Sequence, residues 1–440
     1  MTKPVVAIVG RPNVGKSTLF NRIAGRSIAI VEDLPGTTRD RVYQDVAWQD
    51  RVFVLVDTGG LEISTDDDIG KMVRAQVEIA IAEADVIVFL VDVTDSVTIP
   101  DKEIAEVLRR SDKQVLLVVN KCDNWSRRDH LAEFYELSVG EPVAISAHHA
   151  IGTTDLLDAV TAMLPSGEEQ PEQLADKMKV AIVGRPNVGK SMLLNSILGE
   201  DRSIVSDVAG TTRDAIDTIV EYEGEQVVLI DTGGIRRRGR IDRGIEKYSV
   251  LRAIRAIDRA DIAILVLDVT DPLAAQDMHI AGYVHDALKG MVVVVNKWDL
   301  AIELDIEAPH LTQVIAAKLK FFPDVSIIYT SALNGEGVTD VLKYSKKVFE
   351  ERNKRFTTPQ VNKVIKEALI THSPRTVKGR RLNVLYATQS EVNPPTFVLF
   401  VNDSNLLHFS YKRYLENKLR DAFGFKGTPL NLIFKNRGEK

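Results

Sequence analysis

The chain has 440 residues, 45% of them hydrophobic and 27% charged, a globular composition with room for about three domains of ordinary size. No apolar run reaches the roughly 18 residues of a membrane span, and a single cysteine, Cys122, excludes an internal disulfide and fits a reducing, cytoplasmic setting. The net charge of −6 hides an asymmetry, because residues 354–440 carry 16 Lys and Arg against 6 Asp and Glu, and a basic segment of this kind points to a polyanion such as nucleic acid.

In chain order, residues 5–9 read as a buried strand, not as a signal peptide, since no cleavage pattern follows. Gly10-Arg11-Pro12-Asn13-Val14-Gly15-Lys16-Ser17 comes next, and residues 19–23 begin a helix. A glycine-bearing loop between a strand and a helix is the setting of a phosphate-binding loop. Its glycines let backbone N–H groups close around phosphate oxygens, and the helix N-terminus adds a favourable dipole. Lys16 suits the β- and γ-phosphates of a nucleotide, and Ser17 suits Mg2+.

Residues 52–56, 86–90 and 115–119 are continuous apolar runs separated by helical stretches. They predict an α/β fold with a mostly parallel sheet covered on both faces, and ligands at the carboxyl ends of its strands. Asp57-Thr58-Gly59-Gly60 ends the first run, where Asp57 suits Mg2+ through water and Gly60 suits an N–H contact to a γ-phosphate. Asn120-Lys121-Cys122-Asp123 ends the third. A carboxylate accepts two parallel hydrogen bonds, and guanine offers N1–H and its 2-amino group where adenine has no such pair. Asp123 therefore selects GTP and GDP. Asn120 is expected to brace the loop and base edge, Lys121 to lie over the ring, and Ser146-Ala147 to offer a backbone N–H to guanine O6.

Every block returns. Gly184-Arg185-Pro186-Asn187-Val188-Gly189-Lys190-Ser191 repeats the first loop 174 positions later. Thr37-Thr38-Arg39-Asp40 returns as Thr211-Thr212-Arg213-Asp214, and the Asp57 block as Asp231-Thr232-Gly233-Gly234, both at 174. Asn296-Lys297-Trp298-Asp299 stands 176 positions after Asn120, and Ser331-Ala332 follows a later strand. A near-constant offset across the blocks means one duplicated domain. The expected limits are 1–164 and 178–352 for the two copies, with a polar, acidic, proline-bearing linker at 165–177 and a basic third unit at 353–440.

In the third unit, Val361, Val364, Ile365, Ala368 and Leu369 share one helix face. Residues 382–388 and 396–401 read as strands joined by a turn at Asn393-Pro394-Pro395. A second helix carries Tyr411, Leu415 and Leu419, and a last strand spans 430–434. Gly424-Phe425-Lys426-Gly427 has the letters of a G-x-x-G nucleic-acid clamp, but such a clamp joins two helices, so Gly424 reads as a helix cap.

These motifs resemble the Der (EngA) family, the tandem-domain members of the translation-factor-related GTPases, over essentially the whole chain. The resemblance implies two P-loop GTPase domains and a C-terminal α+β KH-like domain. It implies GTP hydrolysis with Mg2+, and a monomer that docks on the 50S ribosomal subunit and its rRNA during late assembly. Thr38 and Thr212 would be the switch threonines that close on Mg2+, with Thr37 and Thr211 as alternatives. The family replaces the water-orienting glutamine of small GTPases with a potassium ion. Here Leu61 and Ile235 fill the glutamine position, and Asn13 and Asn187 match the ion-holding asparagine, whose other reading is a brace of the loop. Arg39 and Arg213 read as surface residues before arginine fingers. The segment after Gly234, Ile235-Arg236-Arg237-Arg238, is basic where Leu61 to Asp68 is acidic, which reads equally as two solvated loops or as a functional difference. The competing function is an RNA-binding module that holds GTP as a ligand and hydrolyses it incidentally.

Overall fold

In a computed structural model the chain is described over residues 3–27, 43–60, 77–78, 80–124, 129–165, 177–199, 204–209, 216–237, 248–322, 324–377 and 380–436. Thr37, Thr38, Arg39, Leu61, Thr211, Thr212, Arg213 and most of the expected linker lie outside these residues.

The first sheet holds β1 (Val5–Val9), β2 (Tyr43–Trp48), β3 (Arg51–Asp57), β4 (Val86–Asp92), β5 (Gln114–Asn120) and β6 (Val143–Ala144). Their spatial order is β2-β3-β1-β4-β5-β6, parallel except for the β2–β3 pair. Parallel neighbours require crossovers, and helices Lys16–Ser27 and Ile99–Arg109 lie between the strands in sequence, while Thr153–Met163 follows the last one. Every residue of β1 and β4 is buried, as a sheet covered on both faces demands.

The second sheet holds β7 (Met178–Val183), β8 (Ile204–Ala209), β9 (Ile216–Tyr222), β10 (Glu225–Ile230), β11 (Ile262–Asp268), β12 (Gly290–Asn296) and β13 (Ser326–Tyr329). Its order, β13-β12-β11-β7-β10-β9-β8, repeats the first and includes an antiparallel edge strand, β8, that the sequence reading did not anticipate and whose counterpart at residues 30–35 lies outside the described residues. A short antiparallel pair, β14 (Thr376–Val377) with β15 (Arg380–Arg381), precedes a smaller third sheet, in which β16 (Val384–Glu391) pairs antiparallel with β17 (Thr396–Val401), which pairs parallel with β18 (Asn431–Asn436). Helices Thr358–Thr371 and Phe409–Phe423 give Val361, Ile365, Leu415 and Leu419 to a core shared with Phe397, Leu399 and Leu432. The strand expected from residue 382 begins at Val384, because Leu382 is spent in that core.

The described residues form two compact units, one around the first sheet and one around the second and third. Within the second unit, the junction lies at the amino ends of the parallel strands. Arg352, at the end of helix Val338–Arg352, is 1% exposed. Its guanidinium donates to the Leu288 carbonyl at 2.9 Å, to Thr428 Oγ1 at 2.7 Å and to Asn393 Oδ1 at 2.6 Å. Asn393 in turn donates to Asp261 Oδ1 at 2.9 Å, just before β11, and the Met291 N–H in β12 donates to the Gly427 carbonyl at 2.8 Å. Burial pushes the Arg352 pKa down to about 10, with Asp261 opposing, so the group stays charged at neutral pH.

The Gly424-to-Gly427 letters belong to this junction. Gly424 caps helix Phe409–Phe423, and a Cβ on Gly427 would come within 2.9 Å of the Val348 side chain. The Phe425 N–H donates to Glu351 Oε2 at 2.7 Å. The motif packs one domain on another, which a nucleic-acid clamp could not do while gripping a backbone. Replacing Arg352 with Ala removes the donor from the buried Thr428 hydroxyl and from the part-buried bonds to Leu288 and Asn393, so equilibrium denaturation should register a loss of about 2 kcal/mol in the second unit. Arg352→Lys should recover only part of it, because an ammonium cannot span the same fork.

Candidate functional site

In each copy the phosphate loop leaves the carboxyl end of the central strand, β1 or β7, and enters a helix at Lys16 or Lys190. Asn13 and Asn187 adopt left-handed backbone with φ of 66° and 64°, a conformation asparagine tolerates better than most side chains. Gly15 has φ of 99°, and a Cβ there would lie 2.4 Å from Asn120 Nδ2; at Gly189 the same clearance to Asn296 is 2.2 Å. Glycine is therefore required in both loops.

Lys16 is buried, and its Nζ donates to the carbonyls of Gly10 and Arg11, each at 2.8 Å. Lys190 repeats this with Gly184 at 2.8 Å and Arg185 at 2.6 Å. Burial pushes the Lys16 pKa down, partly offset by Asp57, so the loop holds a desolvated cation that gains from an anion. Ser17 and Ser191 are the second residues of their helices. Asp57 ends β3 almost fully buried, and its Oδ1 accepts from the Gly59 N–H at 2.9 Å. Gly60 closes a three-residue 3-10 turn, whereas Gly233 and Gly234 lie inside an α-helix, Thr232–Arg237.

The base loop is tied to the phosphate loop by one side chain. Asn120 Nδ2 donates to the Val14 carbonyl at 2.8 Å, and Asn120 Oδ1 accepts from the Ala147 N–H at 2.9 Å. Asn296 does the same with Val188 at 2.9 Å and Ala332 at 3.0 Å. The Ala147 and Ala332 N–H groups thus also satisfy the buried asparagine, which needs a donor for its oxygen. Ser146 Oγ donates to Asp123 Oδ1 and Ser331 Oγ to Asp299 Oδ1, both at 2.6 Å, which orients the two carboxylates. Cys122 is buried in the first loop, and its counterpart Trp298 packs on Tyr329 with ring centroids 4.2 Å apart.

Lys121 and Lys297 sit in left-handed backbone and pair with Asp92 and Asp268. Burial opposes charge on these two carboxyls, but the lysines and the Thr94 and Thr270 groups hold both below the usual carboxylate range. Sequence reasoning missed these aspartates, and also the pairs Arg11–Asp95 at 2.5 Å and Arg185–Asp271 at 2.7 Å that fasten the phosphate loops. A repeat signal was available, because Asp92, Asp95 and Asp101 return as Asp268, Asp271 and Asp277 at the offset of 176.

The donor set suits a magnesium nucleotide. Hydroxyl and carboxylate oxygens are hard ligands, and Mg2+ keeps waters and phosphate oxygens in its shell, so few protein ligands are needed. Among the described residues no group of three or more His, Cys, Asp and Glu forms a dedicated metal cluster, and no helix is long and apolar enough to cross a membrane.

A family model described as 50S ribosome-binding GTPase matches residues 5–121 and 179–297, and one described as the C-terminal KH-domain-like domain of EngA bacterial GTPase enzymes matches 355–435. The chain is 51% identical to GTPase Der of Moorella thermoacetica, with all of both chains covered. It is 50% identical to GTPase Der of Thermomicrobium roseum over 99% of this chain and 97% of that one, and 49% identical to that of Chloroflexus aggregans over 100% and 99%. With both phosphate loops, both base loops and the third domain inside these matches, the chain belongs to the GTPase Der family and is a GTPase.

Proposed function

We propose that the chain is a GTP-driven switch in the assembly of the large (50S) ribosomal subunit, acting in the cytoplasm as a monomer and docking on rRNA through its third domain. The observation that carries this reading is the attachment of a domain with 16 basic and 6 acidic residues to the second nucleotide domain, at the end of the sheet away from the nucleotide loops. That arrangement leaves the second copy's nucleotide loops unencumbered while fixing a polyanion-binding surface to the other end of its domain. The description of the family matched by both copies supports the choice of particle.

In this reading Lys16 and Lys190 offset charge on the β- and γ-phosphates, and the Gly60 and Gly234 N–H groups reach the γ-phosphate. Ser17, Thr38 and Asp57, and in the second copy Ser191, Thr212 and Asp231, hold Mg2+. An Mg2+ held by these residues would offset the charge that grows on the phosphate oxygens in phosphoryl transfer. Asp123 and Asp299 choose guanine. Thr38 and Thr212 engage the site only when a γ-phosphate is present, which lets hydrolysis change the surface offered to the ribosome. Neither Leu61 nor Ile235 can orient the attacking water with its side chain, so we assign a potassium ion to Asn13 and Asn187.

Two experiments test this. Phosphate release measured in KCl and in NaCl at equal ionic strength should be several-fold faster in KCl, and Asn13→Ala with Asn187→Ala should abolish the difference; equal rates in the native chain would contradict the potassium assignment. For docking, the exposed Lys363, Lys366 and Arg413 of the third domain are replaced together by Gln in the full chain. Binding to isolated 50S particles should weaken, and its salt dependence should become shallower by about one unit of slope per lost phosphate contact. Unchanged affinity and slope would show that the third domain is not the anchor.

A further inference from the structure

The two copies fasten their D-T-G-G segments to different strands. In the first copy the Thr58 hydroxyl donates to the Ile8 carbonyl of β1 at 2.6 Å. In the second, the Thr232 hydroxyl shares a 2.8 Å hydrogen bond with Thr218 of β9, and the Asp231 N–H donates to Asp217 Oδ1 at 3.0 Å. The other oxygen of Asp217 pairs with the Arg259 guanidinium. Asp217 is 2% exposed, and the Arg259 side chain is 10% exposed. Removing either partner would strand a buried charge, so the pair is a firm attachment point.

What it attaches is the metal seat. Asp231 has a φ of 55°, unlike the strand-ending Asp57, and the helix Thr232–Arg237 starts from it. That helix brings the Ile235 carbonyl to Ser191, whose hydroxyl donates to it at 3.0 Å. The oxygen that would ligate Mg2+ is thus engaged by the segment that begins at the other ligand. Ligand oxygens stand only about 2.1 Å from Mg2+, so a carbonyl 3.0 Å from the same hydroxyl stands where the waters and phosphate oxygens of the ion's shell would gather.

The first copy cannot build this attachment. Thr218 stands opposite Leu229, and Gln44 stands opposite the equivalent Leu55. The preceding residue, Asp217 in one copy, is Tyr43 in the other. Asp85 and Asp261 each accept the N–H of the residue that opens the central strand region, Val5 or Lys179, which aligns them. Two positions earlier stand Glu83 and Arg259. Tyr43, Gln44 and Glu83 offer neither the ion pair nor the threonine bond.

We propose that Asp217 and Arg259 form a latch, seconded by Thr218, that holds the second site in a metal-excluding arrangement by fixing Asp231 and the helix that presents the Ile235 carbonyl to Ser191. The proposal rests on reading Ser191 and Asp231 as Mg2+ ligands. The second site must then spend part of its metal affinity on releasing the latch, and the first site need not, so the two sites load Mg2+ at different concentrations.

The test uses the full chain carrying Asp123→Asn, in which guanine nucleotide reports the second site alone. Release of a fluorescent GDP analogue is followed across a Mg2+ titration, and the Mg2+ concentration that half-slows release is read. Asp217→Asn with Arg259→Met, which removes both charges together, should lower that midpoint by at least about fivefold, the lower end of ordinary coupling between linked sites. Thr218→Val should lower it by less. An unchanged or raised midpoint in both variants overturns the latch. Should the paired substitution fail to fold, Thr218→Val decides alone, and an unchanged midpoint there overturns it. Ser191→Ala separates the premise from the proposal: its midpoint should rise, and if it does not, the ligand reading fails and the latch's role fails with it.

Discussion

The rest of each nucleotide site depends on one buried amide. Asn120 and Asn296 each reach from the end of a strand to the phosphate loop with their nitrogen, and accept from the loop after the next strand with their oxygen. Both are about 3% exposed or less, so both halves of each amide must be paired at their full cost if lost. The requirement propagates. Gly15 and Gly189 cannot carry a side chain because the amide lies against them, and Ala147 and Ala332 give up their N–H groups to it. Phosphate grip and base grip therefore form one body in each copy, and the D-T-G-G segment is the part left free to differ.

It does differ. Thr58 is tied to the central strand of its own sheet, while Thr232 and Asp231 are tied to β9, one strand beyond their own. Duplication kept the chemistry of grip and let the attachments around it diverge. The third domain adds a second asymmetry, because only the second copy carries Arg352 and the polar junction built on it.

Legibility followed distance along the chain. The loops, the apolar strands and the repeat were readable because each is a local pattern that occurs twice. The helices and strands of the third domain were readable from periodicity, apart from the start of β16, where Leu382 turns into the core. Arg352, Asp217 and Arg259 were not readable. Each looks like an ordinary charged residue, and its partner is 41 to 76 positions away or lies in another domain. The second copy meets the third domain through strand ends, at Asp261 and Met291, which no local pattern marks; the side chains of the basic Arg236 segment lie outside those described. The Gly424-to-Gly427 letters show the same limit, since their use in packing is set by Glu351 and Val348, which no local pattern names.

Two self-contained guanine sites, each held together by its own asparagine, follow from these contacts. Equilibrium titration of the full chain with fluorescent GDP counts them directly. The native chain should bind two nucleotides, Asn120→Ala and Asn296→Ala one each, and the doubly substituted chain none, with thermal unfolding confirming that each variant is folded. Two nucleotides bound at native affinity by either single variant would contradict the account.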